Sequence, residues 1–356
     1  MSADPILEIV RQSGSLPKFI LGENVKRFEA RLEARMGAGH AIAVASGAGA
    51  IAVALMAAIG PGDEVILPAF ASPAAAGAVV TVGATPVFVD VEDRTMVMDP
   101  ARIEEKITPR TRALIPSHLF CCMADMPAIM AIARKHGLLV IEDAGALHGA
   151  RLDGISAGLW GDVGTFSFSP STVMSGCGEA GMIVTNNDKL AAECRLIRNH
   201  GQLEGIRFIH KRIGLNSRMD EIQAMFLDQK LDDLDDILAQ RARLADLYRD
   251  WLAPLAERIV LPPAAIDGRS YHAFTLQTAD RDELRLHLQA KGVDTHVYCP
   301  TILPREACFA ACSQSVTEFA NAERASRQNL ALPLYDGMTD EQVSTIAKAL
   351  LAFPRS

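Results

Sequence analysis

The sequence predicts an α/β protein. A large domain with a mostly parallel sheet flanked by helices precedes a smaller C-terminal α+β domain. Three observations carry this reading. From residue 41 to about 142, short apolar runs alternate with helical patterns, as the strand–helix units of a parallel sheet do. The runs are apolar at successive positions, as strands buried on both faces are. A charged helical stretch from Met219 to about Leu255 then leads, past Pro262-Pro263, into a short strand–helix–strand–helix tail. At roughly 150 residues per domain, 356 residues suggest two domains, placed at 1–240 and 241–356.

The expected strands are Ala41–Ala45, Glu64–Leu67, Pro86–Val89, Ala113–Pro116 and Leu138–Ile141. Helices are expected between them at Ala48–Ala58, Pro73–Val82, Pro100–Ile107 and Asp125–Lys135. Pro73 after Ser72 and Pro100 after Asp99 are favourable helix starts, because a first-turn proline gives up no intrahelical hydrogen bond. Two further strands, Val163–Phe168 and Gly181–Thr185, follow without a long helix between them. From Met219 onward Ile222, Met225, Phe226, Leu231, Leu234, Ile237 and Leu238 recur at helical spacing, giving one long helix or a helix pair. The tail is a strand at Tyr271–Gln277, a helix at Arg281–Lys291, a strand at Asp294–Tyr298 and a helix at Thr339–Phe353.

Composition narrows the function. With 49% hydrophobic residues the chain is no disordered segment. A formal charge of −8 leaves no basic footprint for nucleic acid or an anionic membrane. The seven cysteines form no C-x-x-C pair, and suggest reduced thiols in a cytoplasmic protein. Met1 to Leu16 lacks the continuous apolar core of a signal peptide. Ala41 to Gly60 is long enough to span a bilayer, but Ser46, Gly47 and Gly49 interrupt it, so it reads as strand, turn and helix. Nine of the 35 basic residues are Lys, and none falls between Lys135 and Lys189.

A series of short segments then occurs in a suggestive order. They are Leu21-Gly-Glu-Asn-Val-Lys-Arg-Phe-Glu29, Gly83-Ala-Thr-Pro-Val-Phe-Val-Asp90, Ile115-Pro-Ser-His-Leu119 and Ile141-Glu-Asp-Ala144 with His148-Gly149. Gly164-Thr-Phe-Ser-Phe168, Gly178-Glu179 with Gly181, and Arg198-Asn-His-Gly201 follow. Gly214-Leu-Asn-Ser-Arg-Met-Asp-Glu221 and Leu332-Pro-Leu-Tyr-Asp-Gly-Met-Thr-Asp-Glu341 complete the series. In this order they resemble the DegT-type sugar aminotransferases, from about Gly14 to Phe353. The resemblance implies an aspartate-aminotransferase-like fold and pyridoxal phosphate chemistry on a sugar.

It also implies roles. Such a site needs backbone donors at a helix start for a phosphate, a carboxylate for the pyridine nitrogen, and an amine for the aldehyde. Ser46, Gly47 and Ala48 fall at the phosphate turn, where the family has Thr in place of Ala48. Ser167 takes the second phosphate position, and Asn216 matches a residue that reaches a phosphate across the dimer interface. Asp143 matches the partner of the pyridine nitrogen. Four positions depart from the family: Ala48, Ser72 for the stacking aromatic, Ala146 for a glutamine, and Thr172 for the Schiff-base lysine. A threonine hydroxyl is neutral and hardly ionisable near pH 7. Thr172 and His148 are therefore the catalytic candidates, with His118, His200, Cys177 and Lys211 as weaker ones. His118 with Cys121 and Cys122 is a poor metal cluster, because vicinal cysteines diverge, and no metal is expected.

Three functions stay open. The chain acts on a keto-sugar, nucleotide-sugar or cyclitol, with pyridoxal or pyridoxamine phosphate bound non-covalently if at all. Alternatively it is an inactive subunit paired with an active aminotransferase paralogue, or a small-molecule sensor. A homodimer or a heterodimer with that paralogue is the expected assembly.

Overall fold

The computed structural model describes residues 11, 12, 14, 18–203, 206, 208–264, 268–312 and 319–354. Most of the Met1 to Leu16 segment, read above as no signal peptide, lies outside the described residues.

The first helix, α1 (Glu23–Met36), precedes β1 (His40–Val44), α2 (Gly47–Ala58), β2 (Glu64–Pro68), α3 (Pro73–Thr81), β3 (Thr85–Val89) and β4 (Thr111–Leu114). Next come α4 (Met126–His136), β5 (Leu139–Asp143), a small hairpin of β6 (Arg151–Leu152) and β7 (Ile155–Ser156), then β8 (Val163–Ser167), β9 (Gly181–Thr185) and α5 (Asp188–Ile197). Seven of the strands form one sheet in the order β1-β9-β8-β5-β4-β2-β3. β9 runs antiparallel to both its neighbours, and the other pairings are parallel. Ala41 to Gly60 is strand, turn and helix, as expected. Among the described residues no helix is long and apolar enough to cross a membrane.

Side-chain alternation assigns each strand to two cores. Ile42 and Val44 join one cluster with Ile51, Leu55 and Val79, beneath α2 and α3. Ala41 and Ala43 face the opposite cluster, with Phe28, Leu32, Phe166, Phe168 and Leu227. That opposite face continues into a third cluster. There Ile66, Val87, Leu114 and Val140 of the sheet pack with Leu244, Tyr248, Phe274, Leu330 and Ile346.

The charged stretch is a helix pair, α6 (Glu221–Asp232) and α7 (Leu234–Leu252). Position 240, the expected domain boundary, lies inside α7. The tail contains β10 (Phe274–Gln277), α8 (Arg281–Ala290), α9 (Ala320–Gln328), β11 (Asn329–Leu332) and α10 (Asp340–Leu351).

Two expectations need correction, and one strand is additional to those expected. Pro100–Ile107 is two single 3-10 turns, Pro100–Arg102 and Glu104–Lys106, with Ile103 as the buried anchor. Asp294–Tyr298 is no strand and makes one isolated bridge, His296 to Ala331. The partner of β10 is β11, whose Asn329–Leu332 is too short to show a period.

Two motifs turn out to be architectural. The Glu221 carboxylate accepts from the Gly22, Asn24 and Val25 backbone N–H groups at 2.7, 2.9 and 3.2 Å. It thus caps α1 from nearly two hundred residues away and favours the positive end of the helix dipole. Arg198 donates to Glu29 Oε1 at 2.6 Å and to the Ala43 carbonyl at 2.7 Å, tying α5 to α1 and β1.

Candidate active site

The chain leaves β1 at Val44 and turns directly into α2. Ser46 is the N-cap, and its Oγ accepts from Gly49 N–H at 3.0 Å. The Gly47 and Ala48 amides, in the first turn, have no carbonyl four residues back to bond and are available to an anion. Gly47 is required by close approach: a Cβ there would lie 2.7 Å from Ser167 Cβ on β8. The start of α2 and the end of β8 therefore form one wall.

The opposite wall is the C-terminal end of β5, where an open α/β sheet places its ligands. Ser117 Oγ–H donates to Asp143 Oδ2 at 3.1 Å, and Gly145 N–H donates to Oδ1 at 3.2 Å. Burial pushes the Asp143 carboxyl above the ordinary aspartate range, opposed by the Gly145 and Ser117 hydrogen bonds and by His118. A protonated ring nitrogen beside it would hold it ionised.

Between the walls lies a cavity of about 190 Å³. Gly47, Ala48, Asp143, Ser167 and Thr172, separate in sequence, all line it. So do Ser72 and Ala146. The four positions expected to depart from the family pattern thus line one space. Ser72 is occupied in capping α3, accepting from Ala74 N–H at 3.3 Å. Phe70 does not replace the stacking ring, because it is fully buried against Phe120.

Thr172, expected at the lysine position, is buried, and its Oγ1–H lies 2.9 Å from the Ser169 carbonyl and 3.3 Å from the Met174 carbonyl. The hydroxyl is committed to the turn that carries it. No lysine is among the residues that line the cavity. The nearby segment instead contacts Lys230 of α6, whose Nζ donates to Ser175 Oγ at 2.6 Å and lies 3.9 Å from Asp336. Burial lowers the pKa of this amine, but Lys230 does not line the cavity.

The structure does not bring every candidate here. His148 lines a different cavity, of about 270 Å³, behind β8. Its ring stacks on Phe166 and Phe168, with centroids 5.4 and 5.1 Å away. Both ring nitrogens are buried without a hydrogen-bond partner, and burial pushes its pKa down to about 3. It is a neutral core residue and not part of the constellation around Thr172. His118 does reach the cavity, but Nε2 lies 3.0 Å from Glu142 Oε2 and Nδ1 accepts from Ala124 N–H at 3.2 Å. Burial raises the Cys177 thiol, against a thiolate role. Asn216 is exposed, its Oδ1 accepting from Arg218 Nε–H at 2.9 Å, and Lys211 is exposed too.

Sequence reasoning passed over His272 and gave Ser171, a polar neighbour of Thr172, no role. Both line the cavity and also a cleft of about 970 Å³ that opens toward Arg241, His296, Tyr298 and Tyr335. His272 sits just before a short strand of the tail, where nothing in the linear sequence connects it to Asp143.

The residues present fit pyridoxal or pyridoxamine phosphate at two ends. Gly47, Ala48 and Ser167 suit the phosphate, and Asp143 suits the ring nitrogen. No lysine is among the residues that line the cavity between those two ends.

Comparison with known proteins agrees with this architecture. A family model described as the DegT/DnrJ/EryC1/StrS aminotransferase family matches residues 3–351. A UDP-N-acetyl-3-dehydro-alpha-D-glucosamine 3-aminotransferase of Acidithiobacillus ferrooxidans is 41% identical over 93% of this chain and 89% of its own. The crystal structure of S. venezuelae DesV in complex with a ketimine intermediate superposes with a TM-score of 0.92 at 38% identity, covering 98% of this chain and 93% of that one. The Bacillus subtilis protein NtdA, with bound cofactor PMP, superposes with a TM-score of 0.91 at 32% identity, covering 98% and 81%. Sheet order, site placement and matches over nearly the whole length lead to one conclusion: the chain belongs to the DegT/DnrJ/EryC1/StrS aminotransferase family.

Proposed function

We propose that the chain acts on a keto-sugar, carried as a nucleotide-sugar or present as a cyclitol, in sugar or natural-product biosynthesis. The cofactor, when bound, is held without a covalent bond. It would supply an electron sink in its ring. Gly47 and Ala48 amides with the Ser167 hydroxyl would hold its phosphate, and Asp143 its ring nitrogen. The observation that carries this reading is the fate of position 172. Its hydroxyl is spent on the Ser169 and Met174 carbonyls, while the phosphate and nitrogen ends keep suitable groups. The 3-dehydro-sugar named for the Acidithiobacillus relative supports a keto-sugar substrate. The cleft above the cavity offers room for a nucleotide portion.

An absorbance titration with pyridoxal phosphate tests the cofactor half. Saturable binding is expected, and borohydride treatment should leave no pyridoxyl group on residues 167–177. A pyridoxyl adduct on Lys211 would overturn the reading, since that lysine would then be the missing amine. Consumption of a keto-sugar from a panel of nucleotide-linked substrates tests the other half.

A second reading is that the chain is the inactive subunit of a heterodimer, lending Asn216 to a paralogue's site. Phe208 and Ile213, each 84% exposed, lie in the loop just before the exposed Asn216 and support an association surface there. Co-purification with a lysine-bearing homologue is expected on this reading. A stable homodimer with its own turnover would exclude it.

A further inference from the structure

The cavity of about 270 Å³ behind β8 is separate from the one assigned to the cofactor. The same three chain segments wall both. Residues 143–150 give Asp143 and Ala146 to the front cavity, and His148 and Ala150 to the back one. The end of β8 gives Ser167 to the front and Phe168, just past it, to the back. The turn that follows gives Thr172 to the front and Met174 to the back. Among the described residues only Phe166 is common to the two linings, so the cavities stand back to back.

The back cavity is carbon inside. Ala157, Phe166, Phe168, Met174 and Leu234 line it, and none is more than 4% exposed. The His148 nitrogens are buried, so what its ring presents to the space is carbon. The Ser156 hydroxyl is turned to the Met36 carbonyl, at 3.5 Å. Water there finds few partners, which favours an apolar occupant. Interiors are otherwise close-packed, and a space of this size costs stability that an occupant's contacts restore. It exceeds the roughly 150 Å³ that admits a benzene ring, so two fused rings fit. The flexible side chains of Met36 and Met174 can close on them.

The mouth is charged. Arg35 and Asp235 neutralise each other there, with Nη1 donating to Oδ2 at 3.2 Å. Arg151 of the β6–β7 hairpin is exposed, and its Nη1 donates to the Gly154 carbonyl at 3.1 Å. It pairs with no carboxylate among the described residues, so the mouth carries one uncompensated positive charge.

We propose that the back cavity is a binding site for a small aromatic carboxylate, with the ring against Phe166, Phe168 and Met174 and the carboxylate at Arg151. The site stands apart from the cofactor and keto-sugar readings and does not depend on either.

The test uses the full chain with 2-naphthoate as probe and 2-naphthamide as its neutral counterpart. Calorimetric titration gives the affinities, and NMR of methyl-labelled methionines gives the location. Saturable binding of naphthoate is expected, with shifts in the Met36 and Met174 methyl signals. Arg151→Gln should weaken naphthoate about 2–5-fold, the range for an exposed ion pair, and leave naphthamide unchanged. Ala157→Phe puts a ring where the probe's ring belongs and should weaken both probes at least about 10-fold. Leu238→Trp, at a half-buried position of the wall, should do the same and serves if Ala157→Phe does not fold. No saturable binding by folded wild type overturns the proposal, and a cavity that takes water only gives that result. Binding that moves neither methyl signal overturns it, as does unchanged affinity in a folded cavity-filling variant. Equal weakening of both probes by Arg151→Gln overturns the placement of the carboxylate.

Discussion

Replacing Thr172 by lysine supplies the amine that the cavity lacks. Thr172→Lys removes a hydroxyl shared between the Ser169 and Met174 carbonyls at 2.9 and 3.3 Å. One hydroxyl proton divided between two carbonyls is worth about 0.5–1.5 kcal/mol, a fall of about 1–3 °C in melting temperature. The added methylenes extend into a cavity of about 190 Å³, so no backbone shift is needed to seat them. Desolvation lowers the pKa of an amine placed there and favours its nucleophilic form. With pyridoxal phosphate present, the variant should show a new long-wavelength absorbance. Borohydride should then fix one pyridoxyl group on residue 172, found by peptide mass mapping. The wild type should give neither. A folded variant, saturated with cofactor, that yields no adduct at 172 would refute the assignment of this cavity to the cofactor.

Other outcomes follow from the same geometry. Asp143 has a folded pKa raised by burial, so its ionised form opposes folding; stability is lost as pH rises through that value. Asp143→Asn should therefore melt higher than wild type at pH 7, with the difference shrinking toward pH 4, and should bind pyridoxal phosphate at least 10-fold more weakly by absorbance titration. His148 has its pKa pushed down to about 3, so it contributes stability above its unfolded value of roughly 6.5 that is lost as pH falls toward 3. His148→Phe should shift the acid-unfolding midpoint, followed by circular dichroism, to lower pH and leave pyridoxal phosphate binding unchanged. The Glu142 carboxylate accepts from Gly158, Trp160 and Gly161 N–H at 2.9, 2.6 and 2.7 Å and faces His118. Glu142→Ala leaves these three buried backbone N–H groups without an acceptor and should cost about 3 kcal/mol or more in denaturant unfolding, at about 1–3 kcal/mol for each unsatisfied donor.

The large sheet was legible because its strands are apolar on both faces and its helix starts carry caps. Gly181–Thr185 falls where the sequence places it. Asp143 and the Ser46–Ala48 turn were legible for a related reason, since both sit where a strand ends and a ligand can approach. The misses have physical causes. Asn329–Leu332 gains its identity only by pairing with β10, a contact no local pattern encodes. His148 lies in a suggestive segment, yet its register turns it to the far side of β8, between two phenylalanines. His272 joins the site through the tail's packing over the cavity, so its proximity to Asp143 is tertiary. Glu221 and Arg198 drew attention as part of a family pattern, and their partners show that this pattern also records helix capping and element tethering.

The cluster that joins Ile66, Val87, Leu114 and Val140 to Leu244, Phe274, Leu330 and Ile346 bears on motion. Swinging the tail as a rigid lid would strip apolar surface from the sheet, at roughly 25 cal/mol for each Å² exposed. Adjustment to a ligand is thus cheaper in the rims of the cleft, at Ser171, Tyr298 and Tyr335, than in the platform beneath them. A chain ended at residue 240 would leave that sheet face bare and cut α7 within its second turn, so it should aggregate instead of folding as a smaller binding unit.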